Sequence, residues 1–177
     1  LMARVGLLLP CIDRPSIPWC TQVLADIGDE QSLEQNLSTF SSHITRIKRI
    51  LNVIEDDPGP VLVLLDEVGA GTDPGEGTAL AIALLRNLAD KARLTIATTH
   101  FGELKALKYS DTRFENASVG FDSETLKPTY HLHWGIPGRS NALEIARRLG
   151  FDSRILDGAQ KLITPNGLQN VDHLIRA

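Results

Sequence analysis

Two adjacent carboxylates, Asp66 and Glu67, close a five-residue apolar run, Val61-Leu62-Val63-Leu64-Leu65. An aspartate at the end of a buried strand suits phosphoanhydride hydrolysis, because it lies near the magnesium that bridges the terminal phosphates. A glutamate one residue on is placed to orient or deprotonate the attacking water. Asp66 is thus a candidate magnesium ligand, acting through a water, and Glu67 a candidate base. The bland alternative is two solvated acids at a strand terminus. His100 follows a second apolar run, Leu94-Thr95-Ile96-Ala97-Thr98. A neutral imidazole there could touch the transferring phosphoryl group or position the water. Alone, a histidine after a strand is more often structural; the acid pair raises its standing.

The complementary half of such a site is absent from the 177 residues. A phosphate cradle needs a glycine-rich turn followed by Gly-Lys-Ser or Gly-Lys-Thr. None of the fourteen glycines is followed by lysine. Two other segments have anion-binding chemistry. Asn36-Leu37-Ser38-Thr39-Phe40 precedes a helix, where free N–H groups and small hydroxyls make an anion site; a plain cap accounts for it equally. Gly69-Ala70-Gly71-Thr72-Asp73 is a glycine-rich turn directly after the acids. It is either a flexible connection or, through Gly71 and Thr72, a contact across a subunit interface. His131 and His133 could form a metal pair on a strand, but no third ligand is near in sequence.

The elements around these residues can be read from spacing. Asp57-Pro58-Gly59-Pro60 is a turn, and the run at 61–65 is a strand buried on both faces, as in a mostly parallel sheet. Residues 38–54 carry a helical stripe of Phe40, Ile44, Ile47, Ile50, Leu51 and Ile54, with Ser38 or Thr39 as cap. Asp73 is the N-cap of the next helix, Pro74 its first position and Glu76 the far half of a capping box; the helix runs to about Asp90. The run 94–98 reads as another strand buried on both faces; strand, helix and strand make a right-handed βαβ unit, which brings Asp66, Glu67 and His100 to one rim. Upstream, residues 1–8 read as a helix end, then a proline loop, then a strand at 22–25 stopped by Asp26-Ile27-Gly28-Asp29. Downstream, 114–121 and 125–134 read as a hairpin at the sheet edge. Helices at 141–149 and 153–163 flank Gly150 in a helix-turn-helix-like pair. The second helix balances Arg154 and Lys161 with Asp157, so packing against a partner chain suits it better than groove reading. Arg139, Arg147, Arg148 and Arg154 form a basic spot or simply solvated helix faces.

Composition sets the bounds. With 42% hydrophobic and 23% charged residues, the chain can build one core. A net charge of −4 argues against a self-sufficient DNA-binding surface. Cys11 and Cys20 form no CxxC pair, which excludes a zinc ribbon and fits the reducing cytoplasm. No apolar run approaches the ~18 residues of a membrane span. The chain opens on Leu1 rather than methionine, as a cut from a longer protein would.

Together these pieces resemble the ATPase domain of the MutS family, a branch of the ABC-type ATPases. Leu64-Leu65-Asp66-Glu67-Val68-Gly69-Ala70-Gly71-Thr72-Asp73-Pro74 looks like its Walker B segment and D-loop. Ser38-Thr39-Phe40 looks like its signature loop, Ala97-Thr98-Thr99-His100 like its switch histidine, and Val23-Leu24-Ala25-Asp26-Ile27-Gly28 like the stretch equivalent to the Q-loop. Gly71-Thr72-Asp73-Pro74-Gly75-Glu76-Gly77, Gly102-Glu103-Leu104-Lys105 and Gly135-Ile136-Pro137-Gly138-Arg139-Ser140-Asn141-Ala142 are closer to the second bacterial MutS branch, an anti-recombination and ribosome-rescue paralogue. The resemblance runs from residue 1 to about 163.

The resemblance implies an α/β, P-loop NTPase-like fold: a mostly parallel sheet flanked by helices, incomplete at its N-terminus, with a C-terminal helical pair. It divides the chain into a partial ATPase domain at 1–137, a helical pair at 138–163 and a tail at 164–177 leading to an absent region. It implies ATP and Mg2+ as cofactors, a homodimer with a composite site, and DNA bound through regions outside the chain, with the ribosome as a further target. One subunit would supply Asp66, Glu67 and His100, the other Ser38 and its loop. A phosphate loop should lie upstream of Leu1 and a small nuclease domain downstream of Ala177. The chain alone is expected neither to hydrolyse ATP nor to bind it well. Two alternatives stay open: another ABC-type motor, although Leu37-Ser38-Thr39-Phe40 departs from the Leu-Ser-Gly-Gly signature of those proteins, and a non-catalytic dimerisation module.

Overall fold

The computed structural model describes residues 1–28, 38–122, 124–125, 127–138 and 140–163, with Ser38 and Thr39 described by their backbone alone. The chain divides into two compact units, Leu1–Phe101 and Gly102–Ala177.

The first unit is built on three parallel strands in the order β1 (Gln22–Asp26), β2 (Val61–Leu65) and β3 (Leu94–Ala97). Helix α1 (Ser38–Asp56) joins β1 to β2, and α2 (Pro74–Lys91) joins β2 to β3. Both connections step across the sheet in one direction, so right-handed crossovers place both helices on one face. Val61, Val63 and Leu65 of β2 are buried, as are Ile50 and Ile54 of α1 and Ala81, Leu84, Leu85 and Leu88 of α2. Alternate residues Leu62 and Leu64 are only half-buried. The pairing Leu62 with Leu94 and Leu64 with Ile96 continues that second face, where Leu94 is 43% and Ile96 53% exposed. This corrects the expectation of a β3 buried on both sides. Among the described residues β3 is an edge strand, and both described crossover helices lie on the other face.

Helix α2 starts as its sequence dictates. Asp73 accepts the N–H groups of Gly75 (2.9 Å) and Glu76 (3.0 Å), and Pro74 occupies the first turn, where a missing N–H costs nothing. The expected helix end at residues 1–8 is instead one 3-10 turn, Met2–Val5, closed by Gly6 at φ 77°. The left-handed glycine and the prolines that follow end it after a single turn.

The second unit opens with a 3-10 turn, Gly102–Ala106, and the short helix α3 (Leu107–Ser110). An antiparallel hairpin follows, β4 (Ala117–Asp122) and β5 (Lys127–Trp134), with an irregularity between Val119 and Phe121. It forms its own two-stranded sheet, which corrects its expected place at the edge of the parallel sheet. Pro128 removes a donor from β5 and the irregularity disturbs β4, two features that end pairing rather than extend it. Within this unit the Asn116 amide donates to the Lys105 carbonyl (2.8 Å), and the Lys108 ammonium pairs with Glu115 (2.6 Å) and donates to the Gly135 carbonyl (3.1 Å). Helices α4 (Ala142–Arg148) and α5 (Ser153–Leu162) flank Gly150 at φ 79°, and Asp152 caps α5 through the Arg154 N–H.

Candidate functional site

The C-terminal ends of β2 and β3 carry the predicted acids and imidazole to one place. Leu65 pairs with Ala97, so Asp66 lies opposite Thr98. The Thr98 hydroxyl donates to Asp66 Oδ1 at 2.5 Å and accepts the Glu67 N–H at 2.9 Å. Glu67 sits at φ 48°, in the left-handed region that a glutamate rarely adopts. Strain of this kind persists only where surrounding bonds over-determine it. Here they do: the Val68 N–H bonds the Thr98 carbonyl (3.0 Å), and the Ala70 N–H bonds the Glu67 carbonyl (3.0 Å). The turn aims the Glu67 carboxylate toward His100, with Oε1 3.6 Å from Nε2 and the side chains 52% and 69% exposed. The acids and the imidazole are thus together and open to solvent.

Beyond Glu67 the chain turns through Gly69 and Gly71, both at φ 86°. A Cβ on Gly69 would lie 2.6 Å from the Gly77 carbonyl oxygen, so the turn rests directly on the first turns of α2. A Cβ on Gly71 would meet Phe40 at 3.4 Å. The predicted Gly71-Thr72 turn therefore lies against the start of α1. Ser38 and Thr39 begin that helix; the rest of the expected anion loop, up to residue 37, lies outside the described residues. Arg139 also lies outside them. Arg148 lies 3.6 Å from Glu144 and Arg154 2.8 Å from Asp152, which favours solvated helix faces for these two. His131 and His133 lie on β5, and no group of three metal-ligating side chains occurs among the described residues.

One cluster was not foreseen. Asp26, at the end of β1, is 2% exposed; its carboxylate accepts the Arg46 Nε–H and lies 2.8 Å from His43 Nδ1. Both partners belong to the first turns of α1, and the Asp66 N–H bonds the Asp26 carbonyl (2.9 Å). The signal was present in sequence: His43 and Arg46 sit three apart beside the apolar stripe of α1, where a guanidinium and an imidazole need a polar partner.

A cavity of about 400 Å³ opens between α1 and α2, walled by Ile44, Ile47, Leu51, Leu80 and Leu84. Its polar lining is dominated by the carboxylates Asp26, Glu55, Asp66 and Glu67, against Lys48 as the fixed cation. Asp26 is paired with Arg46 and Glu55 with Lys91, so Asp66 and Glu67 are the lining carboxylates without a Lys or Arg partner among the described residues. A hydrated magnesium asks little of the protein: it keeps several waters and takes one or two carboxylates beside the phosphates. Asp66 Oδ2, which accepts no hydrogen bond among the described residues, fits that demand.

The pattern of the MutS domain V family matches residues 1–165. "Endonuclease MutS2" of Synechocystis is 62% identical over 175 residues, covering 90% of this chain and 21% of that protein. "Endonuclease MutS2" of Symbiobacterium thermophilum is 53% identical over 176 residues, covering 99% of this chain and 22% of that protein. "Endonuclease MutS2" of Clostridium kluyveri is 50% identical over 172 residues, covering 97% of this chain and 22% of that protein. The chain spans about a fifth of the length of these curated relatives.

Proposed function

The chain belongs to the MutS domain V family, and on that footing we propose that it is the hydrolytic half of a DNA-directed ATPase. ATP and magnesium are its cofactors, and a second copy of the same domain completes its site. Asp66 would hold a hydrated magnesium, through a water. Glu67 takes a proton from the attacking water or orients it, and His100 steadies that water or the phosphoryl group being transferred. The bound metal would supply charge neutralisation on the terminal phosphates. The start of α1, at Ser38 and Thr39, and the turn at Gly71 and Thr72 face the nucleotide of the partner copy. DNA contact lies outside the described residues, and the endonuclease in the relatives' names is not assigned to these residues.

The observation that carries this reading is the approach of Glu67 to His100, at 3.6 Å, beside an Asp66 whose second oxygen accepts no hydrogen bond among the described residues. Structural acids at a strand end do not require a strained backbone at the second acid, and Glu67 is strained. The phosphate grip comes from outside the 177 residues. No helix among the described residues is long and apolar enough to cross a membrane.

The test replaces the matching segment of the Synechocystis relative with this chain. The hybrid is expected to hydrolyse ATP in a magnesium-dependent way, and the 177 residues alone are not. Glu67→Gln should lower turnover by about a hundredfold or more. Brisk turnover by the isolated chain, or full turnover by the Glu67→Gln hybrid, overturns the proposal.

A further inference from the structure

We propose that Thr98 is a positioning residue: its single hydroxyl sets both acids of the site, Asp66 through its side chain and Glu67 through its backbone. The inference rests on the ATPase reading above and adds a residue to it.

All of the hydrogen bonding described for Thr98 goes to the segment Leu65–Val68. Its N–H donates to the Leu65 carbonyl (2.9 Å) and its carbonyl accepts the Val68 N–H (3.0 Å). Any residue would supply those two bonds, so strand register does not need a threonine. The other two bonds belong to the hydroxyl alone. Oγ1 accepts the Glu67 N–H at 2.9 Å and donates to Asp66 Oδ1 at 2.5 Å.

A hydroxyl has one proton to give, and here it is given to the aspartate, which leaves its lone pairs for the Glu67 amide. Each bond then does a separate job. Donation to Oδ1 fixes the rotamer of Asp66 and leaves Oδ2 as the oxygen that would hold the hydrated metal. Acceptance from the Glu67 N–H fixes the peptide that must enter the left-handed region at φ 48°. That backbone conformation is what brings Oε1 within 3.6 Å of His100. Thr98 also stands two residues before His100 on the same strand exit, so the hydroxyl ties the acids to the element that carries the imidazole. Thr98 is itself exposed, so its side chain does little packing that could explain its identity otherwise.

Thr98→Val keeps shape and β-branching while removing the hydroxyl; Thr98→Ser keeps the hydroxyl. Two measurements judge them. In the 177-residue chain, amide exchange of Glu67 should quicken about five- to tenfold in Thr98→Val. The amides of Val68 and Thr98, whose bonds are backbone only, should keep their protection, and Thr98→Ser should restore Glu67. In the Synechocystis hybrid, Thr98→Val should lower kcat about ten- to a hundredfold with KM for ATP within about twofold, because misplaced acids cost turnover rather than ground-state binding. Thr98→Ala repeats both tests should the valine variant fold poorly.

Unchanged exchange at Glu67 overturns the latch whether or not the hybrid turns over. Altered exchange with unchanged kcat in an active hybrid overturns the positioning role. An inactive unmodified hybrid sinks the ATPase reading and this use of Thr98 with it, while the exchange data still say whether the latch itself was right.

Discussion

Asp26 and Asp66 sit at neighbouring strand ends of one sheet, joined by a backbone hydrogen bond, and their side chains have opposite surroundings. The Asp26 carboxylate is buried with both oxygens engaged, one by His43 and one by Arg46. Asp66 is half-buried, with one oxygen held by a neutral hydroxyl and the other without a hydrogen bond among the described residues. A carboxylate spent on fixed basic groups anchors a helix. One held by a single hydroxyl keeps a lone pair for chemistry. Position at a strand end therefore does not identify a reactive acid; what the neighbouring element sets against it does.

The sharpest way to break the open half of this contrast is to push on the turn that shapes it. A Cβ on Gly77 would fall far inside van der Waals contact of the Gly69 carbonyl oxygen, a backbone atom that cannot swing aside. Gly77→Ala should cost about 3 kcal/mol, the upper range for forced overpacking, read from urea unfolding. Stability equal to the unmodified chain would mean that the crossing of Gly69 and Gly77 does not fix the turn.

Next in size is the direct comparison of the two aspartates. Asp26→Ala strips a buried partner from His43 and Arg46; because both still reach some solvent, the loss should be about 2–3 kcal/mol, below the full cost of a broken buried pair. Asp66→Ala removes one hydrogen bond near the surface and should cost no more than about 1 kcal/mol. Equal losses from the two variants would erase the distinction.

The contrast also marks what could be read beforehand. The strand at 61–65, the helix start at Asp73-Pro74 and the meeting of Asp66, Glu67 and His100 follow from local rules: apolar runs, caps and the handedness of a crossover. Asp26 was read as the stop after a strand and as one letter of a Q-loop-like stretch, because its pairing depends on His43 and Arg46, seventeen and twenty residues away. Thr98 was read as one letter of a motif, because a hydroxyl shows its use only when register sets it opposite Asp66. The exposure of Leu94 and Ile96 was misjudged for a related reason. Apolar content tells which residues need cover, and the described elements supply it on one face of the sheet.

A smaller effect sharpens the reading of Glu67. If its left-handed backbone is strained for the sake of the site, Glu67→Gly should leave stability unchanged or raise it by up to about 1 kcal/mol, since glycine adopts that region freely. Turnover of the hybrid should be lost in the same variant. A stability loss above about 1 kcal/mol would show that the glutamate side chain, rather than its chemistry, is what the fold requires there.

The smallest expected effect comes from a third acid, Glu55, whose partner Lys91 reaches it at 2.7 Å from the far end of α2. The Lys91 hydrogen bond, and then its charge, hold the Glu55 carboxyl below the usual carboxylate range. A carboxyl depressed in the folded state stabilises above its unfolded value of about 4.3 and loses that contribution as pH falls through the lower folded value. Glu55→Gln should therefore lower the urea midpoint slightly at pH 7 and flatten its small acid-side fall, the two chains converging at low pH. The pair is exposed, so about 1 M salt should remove its contribution, while the cost of Asp26→Ala, a buried pair, should survive the same salt. Salt that cancels the Asp26 effect and spares Glu55 would invert the assignment of which acid the fold shields from water.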